Sequence, residues 1–388
     1  MTAYPEPEVE TFNLEVAQTG AKGYSSALTD GRFLYLTPLF NGEFFGEVAR
    51  FDSTRPFQDV GAWTFFDLQA LRTGARGFIG GDFDGRYLYL IPHCADDFHG
   101  LVARYDCTRT FTDSGAWTFF DTAQVNAQSG GYVGGAWNRG DLYLSPYRRK
   151  VDAFSGLIAR FDGDASFADP AAWEFFDAAS LNSGLQGFHG AVAHQEEIFF
   201  IPYSQGAKHF HGNLLRYESD GPFLDNASWD FVSLTDINAR ARGFVGGVSS
   251  DAGLLLAPYF DGEDRSGLVT LGSGRPGQPL SDWKWNFVDL AQFHSMGRGY
   301  FGAARVGSRI FLIPHCLDGI NYHGTLAQWD TQMGLSDERG WAFVDICRED
   351  PLASGFMGAT AIADWIYLAP FENAPGQPHG RVARIKVL

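Results

Sequence analysis

Three observations predict an all-β ring of seven four-stranded units. A Gly-Phe/Tyr pair recurs with its aromatic at Tyr24, Phe78, Tyr132, Phe188, Phe244, Tyr300 and Phe356, a period of 54 to 56 residues. A proline stands 14 residues after each aromatic (Pro38, Pro92, Pro146, Pro202, Pro258, Pro314, Pro370). A tryptophan stands 15 residues before six of them (Trp63, Trp117, Trp173, Trp229, Trp285, Trp341), and Val9 takes the seventh such position. Four-stranded units of this length repeated radially are the signature of a β-propeller. Seven periods use the whole chain, so one domain over residues 1–388 is expected, with no linker.

Each unit yields its strands in order. The inner strand starts near residues 23, 77, 131, 187, 243, 299 and 355, and its glycine-rich type, "GFIGGDF" from Gly77, tolerates close backbone approach. An Asp-Gly turn (Asp30-Gly31, Asp84-Gly85) then leads into "RYLYLIP" from Arg86, a hairpin signal. The third strand follows a glycine, as in "HGLVARYD" from His99, and the fourth is "AWTFFDL", from Ala62 and again from Ala116. Apolar runs of five to seven residues split by Gly, Asp and Pro fit strands and not helices. The chain ends on a third-strand sequence, "HGRVARIKVL", and residues 8–16 hold an orphan fourth strand, "VETFNLEV" from Val9. The first strand is therefore expected to complete the last blade. A linear solenoid would instead need polar capping repeats.

Over its whole length the sequence resembles the seven-bladed propeller superfamily. Its repeat is similar to bacterial tandem repeats of the form "GG-x-x-DGRY-x-Y-x-x-P…HG-x-x-x-RYD", here Gly80-Gly81, Asp84 to Tyr87, Pro92, His99-Gly100 and Arg104 to Asp106. The resemblance implies a fold and no particular activity, because propellers host catalysis, lectin activity and scaffolding alike.

Composition narrows the partners. A net charge of −17 argues against nucleic acid and against anionic membrane surfaces, since phosphate neutralisation needs a basic face. No stretch of 18 apolar residues exists, and the acidic N-terminus "MTAYPEPEVETF" lacks the marks of a signal peptide. Cys94, Cys107, Cys316 and Cys347 form no CxxC, so free thiols and a cytoplasmic location are expected.

Variation concentrates in one loop. From the proline to the glycine opening the third strand the gap is 8, 8, 10, 10, 9, 10 and 10, whereas the other spacings are fixed. In a propeller that loop lies at the mouth of the central channel, with the links between blades. A fixed scaffold with variation on one face is how repeat proteins build sites. The residue after each proline also varies: Leu39, His93, Tyr147, Tyr203, Tyr259, His315 and Phe371. Such mixed types predict one asymmetric pocket rather than seven equal ones. Ahead of the Gly-aromatic pair, four blades carry a base, Lys22, Arg76, Arg242 and Arg298, suited to a carboxylate, phosphate or sulfate ligand. Loop acids such as Asp96, Asp261 and Glu263 are their expected partners when no ligand is bound.

Seven of ten histidines fall on this loop: His93, His99, His209, His211, His315, His323 and His379. Four of them precede the third-strand glycine, a recurrence that argues for a structural imidazole, although His99, His211 and His323 also stand close enough to contact a ligand. His93 and His315 break the repeat in two blades only, facing each other with Tyr147, Tyr203 and Tyr259 along one arc. Three schemes follow. His93 or His315 acts as base, a tyrosine as acid and an arginine neutralises a substrate anion, as in a lyase or isomerase. Alternatively His93, His189 and His315 hold a divalent metal. In the third, the pocket binds a ligand without turnover. A glycan-binding or protein-interaction propeller is the non-catalytic alternative. Cys94 and Cys316 are expected to pack between blades.

Overall fold

The computed structural model describes residues 7–206 and 208–387. The first six residues of the acidic N-terminus, residue 207 and residue 388 lie outside the described residues. Among the described residues there are seven four-stranded antiparallel sheets, each with its strands in sequence order except the last. That last sheet runs Phe356–Ile362, Trp365–Pro370, Arg381–Lys386 and then Val9–Asn13. Val9 lies opposite Ile385 and Asn13 opposite Arg381, so the N-terminal strand closes the ring as expected. Arg384 donates to Glu10 at 2.7 Å across that seam.

The repeated residues are explained by the contacts they make. In blade 2, Asp84 accepts from the backbone N–H groups of Arg86 at 2.7 Å and Tyr87 at 2.5 Å, and Gly85 has φ +101°. The Asp84 side chain also takes the Tyr89 hydroxyl at 2.8 Å. Arg86 of the turn then pairs with Asp106 of the third strand at 2.8 Å, and Arg32 with Asp52 at 2.7 Å in blade 1. The "DGRY…RYD" pattern is thus one hydrogen-bonded unit.

The core lies between blades. In blades 1 to 3 a phenylalanine on the fourth strand stacks on the next blade's tryptophan: Phe66 on Trp117 at 5.8 Å, Phe120 on Trp173 at 5.0 Å and Phe176 on Trp229 at 4.2 Å. Val232, Val288 and Val344 take its place in blades 4 to 6. Phe12, from the N-terminal strand, likewise stacks on Trp63 at 5.3 Å. Stacks of this kind contribute about 0.5–1.5 kcal/mol beyond area burial.

Blade 5 departs from the expected tryptophan frame. Elsewhere the fourth-strand tryptophan faces a third-strand aromatic, as Tyr105 faces Trp117. Here Gly272 faces Trp285 instead, and a Cβ at Gly272 would fall 2.3 Å from that indole. Trp283, two residues earlier, is the tryptophan buried in the interblade core, with Trp285 stacked on it at 5.9 Å. Among the described residues no helix is long and apolar enough to cross a membrane.

Candidate functional site

The Gly-aromatic pair and the proline meet at one end of each blade, as Phe78 does with Pro92. The backbone there is drawn tight: the Gly77 carbonyl accepts from both His93 and Cys94 N–H groups at 3.1 Å. A Cβ at Gly77, whose φ is +69°, would fall 1.7 Å from the Cys94 carbonyl oxygen, so only glycine fits. This places the post-proline residue, the variable loop and the link between blades on one face. Cys94 and Cys316 lie in that loop, bridged to Phe98 and Tyr322. The tight Gly77 and Gly299 turns hold them there.

The post-proline residues form a continuous arc of rings. Centroid separations are 6.3 Å for His93–Tyr147, 5.9 Å for Tyr147–Tyr203, 6.3 Å for Tyr203–Tyr259 and 5.7 Å for Tyr259–His315. His189 packs on Tyr203 at 5.3 Å and on Phe301 at 5.0 Å, and Phe301 packs on His315 at 5.1 Å. Phe301 is the blade 6 counterpart of His189, and the two meet from blades two steps apart. The mouth is therefore packed by its own rings, with His189, Tyr259 and His315 buried.

Burial sets the protonation of these groups. Desolvation lowers His93 to about 4, although its Nδ1–H donates to the Tyr132 carbonyl at 3.0 Å. Desolvation, with Arg265 adding to it, takes His315 to about 3. His189 falls to about 3 by desolvation and the proximity of His93. All three imidazoles are neutral at pH 7. Burial likewise raises the Tyr147 and Tyr203 hydroxyls, and Tyr259 to about 12.

Among the described residues no group of three or more His, Cys, Asp or Glu side chains is arranged to hold a metal ion. His93, His189 and His315 are interleaved with Tyr147, Tyr203 and Phe301 rather than converging.

Three of the four histidines that precede the third-strand glycine, His99, His211 and His379, bond to the backbone. His99 Nε2–H donates to the Arg76 carbonyl at 2.9 Å, and its Nδ1 accepts from Leu101 N–H at 3.3 Å. His211 repeats both contacts, with Gly187 at 3.4 Å and Asn213 at 3.3 Å. His323 is buried edge-on against Tyr300 at 5.9 Å. Burial lowers His211 and His323 to about 4, and lowers His99 as well.

The four expected bases differ in what they meet. Lys22 pairs with Glu15 at 3.8 Å, Arg76 with Asp96 at 2.6 Å and Arg242 with Glu263 at 3.6 Å. Arg298 has no carboxylate within ion-pairing distance among the described residues. It lines a cavity of about 530 Å³ in which Arg240, Arg242, Arg265 and Arg298 face Asp261, Glu263, Asp264 and Asp289. Arg240 is paired with Asp289 at 2.8 Å. The Asp261 carboxylate is committed to the N–H groups of Glu263 and Asp264 at 3.0 and 2.9 Å.

Arg265 is the residue that sequence reasoning missed. Its position, two before the third-strand glycine, is Phe44, Phe98, Phe154, Phe210, Tyr322 and Pro378 in the other blades. Those aromatic rings lie against the glycine of the following blade: Phe98 Cδ1 would be 3.0 Å from a Cβ at Gly131, and Phe210 Cδ1 3.2 Å from one at Gly243. At Gly299 only the Arg265 Cβ approaches, at 3.5 Å. The guanidinium turns instead over Tyr259 at 4.3 Å and Phe260 at 5.1 Å. Like Arg298, Arg265 has no carboxylate within ion-pairing distance among the described residues.

Seven four-stranded antiparallel sheets closed by the N-terminal strand define a β-propeller. No protein-family model matches the chain, and no curated protein matches it. Among solved structures, that of YjhT is similar over 93% of this chain and 94% of its own, at 9% identity and a TM-score of 0.50. PorZ, a bacterial surface component of the type-IX secretion system of Porphyromonas gingivalis, aligns over 90% of this chain at 8% identity and a TM-score of 0.49. This chain spans 35% of PorZ. Likeness at such identity shows the fold alone.

Proposed function

We propose that this chain is a small-molecule-binding β-propeller that takes an anionic ligand in the rim cavity between blades 5 and 6. Arg265 and Arg298 supply the anion contacts, and Arg242 is released from its exposed partner Glu263 when the ligand arrives. The observation that carries this reading is Arg265 itself. Where five other blades place an aromatic ring, this one places a guanidinium with no carboxylate within ion-pairing distance among the described residues, beside a cavity of about 530 Å³ that Arg298 also lines. In a chain of net charge −17, two unpaired arginines in one recess are poised for charge-assisted, bidentate recognition of an oxyanion.

Binding is better supported than lyase or isomerase turnover. A general base for neutral pH needs a pKa near 7. Burial holds His93 at about 4 and His315 at about 3, and a neutral imidazole that titrates so low accepts a proton poorly. The tyrosines, pushed up, are weak acids in turn. The glycan-binding and protein-interaction alternatives find less support, because the exposed apolar residues, such as Val16, Val151, Leu224 and Ile320, lie in different blades. All four cysteines are free, which supports the reducing cytoplasm as the compartment.

The test is a calorimetric titration with citrate. The wild type is expected to bind saturably, and Arg265→Phe or Arg298→Gln to weaken binding about tenfold or more, as losing one charge-assisted hydrogen bond does. Citrate binding left unchanged by both substitutions would overturn the reading.

A further inference from the structure

Blade 3 departs from the repeat at two adjoining places on the rim. Ahead of its Gly-Tyr pair stands Gly130, with φ +152°, where the other blades carry a side chain. A Cβ at Gly130 would fall 3.0 Å from the His99 carbonyl carbon, so the link here runs close against its neighbour and bears nothing outward. Opposite it, the variable loop forms a hairpin, Arg148–Lys150 paired with Ala153–Phe154, whose first strand is three consecutive bases. Between link and hairpin lies a cavity of about 400 Å³. Phe98, Ala127 and Ala153 give it apolar walls, and Gln128, Arg149 and Lys150 supply its polar side chains.

The bases there are unpaired, although Asp152 stands at the tip of the same hairpin. Among the described residues no carboxylate lies within ion-pairing distance of Arg148, Arg149 or Lys150. Arg149 Nη1 donates to Gln128 Oε1 at 2.7 Å, which tethers the guanidinium to the cavity wall. Arg148 is committed elsewhere: it lies 4.8 Å over Tyr147 and 4.7 Å over Phe154, with its Nε buried and unpartnered. Three neighbouring cations repel one another, and an oxyanion between Arg149 and Lys150 would turn that repulsion into attraction.

We propose that this cavity is a second anion site, taking the phosphate or sulfate group of a small molecule. The Arg149 guanidinium offers a planar fork, the Lys150 ammonium a point charge, and the Gln128 amide a neutral donor, a set that matches a tetrahedral oxyanion. The apolar walls would cover the body that carries it. A recess of this volume suits a small molecule more than an acidic peptide, which would need an open groove. The site is independent of the blade 5–6 cavity, with which it shares no residue.

The experiment is a calorimetric titration of the full chain with inorganic phosphate, with sulfate as the second arm, in an Arg265→Phe background that silences the first site. Saturable phosphate binding is expected to persist in that background. It should weaken at least about tenfold when Arg149→Gln and Lys150→Gln are added. Ala153→Leu, which narrows the cavity and leaves the charge alone, should also weaken it, with the thermal midpoint unchanged in each variant. Phosphate binding indifferent to Arg149→Gln with Lys150→Gln would overturn the proposal. Binding that responds to charge removal but not to Ala153→Leu would mark diffuse surface attraction and also overturn it. A poly-glutamate peptide that binds where phosphate does not would make the hairpin a docking surface for acidic chains, again against the proposal. Failure of the blade 5–6 reading shows separately, as citrate binding that survives Arg265→Phe.

Discussion

The Arg265 guanidinium lies 4.3 Å over the Tyr259 ring, at the edge of the arc that lines the mouth. Five other blades put a phenylalanine or tyrosine at the Arg265 position, and those rings lie against the glycine of the following blade. One substitution within a repeat thus replaces a packed ring by a charge.

Arg265→Phe should give blade 5 the ring that five other blades carry. The added ring buries against Gly299 as Phe98 does against Gly131, so stability holds or rises by about 1 kcal/mol while citrate binding is lost. Thermal melting and titration of the same sample check both halves. A large drop in melting temperature would show that Arg265 is a structural residue.

Acid should destabilise the ring through its histidines. His93 titrates at about 4 in the fold, and His189 and His315 at about 3, against an ordinary 6.5. Below pH 6.5 the unfolded chain binds protons that the folded one does not, so stability is full above that pH and falls as pH drops toward 4. The melting temperature should decline across this window. His315→Phe, which copies Phe371 of blade 7, should flatten the decline. An equally steep profile in that variant would contradict the assignment.

His99→Ala should cost stability and leave ligand binding alone. It removes the donor to the Arg76 carbonyl and the acceptor for Leu101 N–H, a loss of about 1–3 kcal/mol. Denaturant unfolding measures the cost. A binding defect without a stability defect would return His99 to the ligand site.

Phe12→Ala should cost as much as Phe66→Ala, about 3–5 kcal/mol each. Phe12 stacks on Trp63 at 5.3 Å as Phe66 stacks on Trp117 at 5.8 Å, so the seam is as cohesive as an ordinary blade junction. Unfolding curves of the two variants should coincide. A near-neutral Phe12→Ala would mean that the N-terminal strand contributes little to closure.

The scaffold was legible because its determinants are local and repeated. The Asp-Gly turn, the glycine that admits a carbonyl and the stacked tryptophan each leave a fixed spacing in the chain. Blade 5 hid its core tryptophan, since Trp285 keeps the spacing while Trp283 takes the buried place, a swap permitted by Gly272. The site was harder for two physical reasons. Arg265 lies in the variable loop, so counting from the proline loses its register, whereas counting back from Gly267 aligns it with Phe98 and Phe154. The protonation of His93 and His315 depends on rings contributed by other blades, such as Tyr147 and Phe301, which no single repeat reveals.

The central claim, that the blade 5–6 rim holds an anion on Arg265 and Arg298, is tested most directly by anomalous diffraction from crystals soaked in selenate. An anomalous peak within hydrogen-bonding distance of both guanidinium groups in the wild type, absent in Arg265→Phe, is the predicted result. A cavity that stays without a peak at selenate concentrations that occupy other surface positions would contradict it.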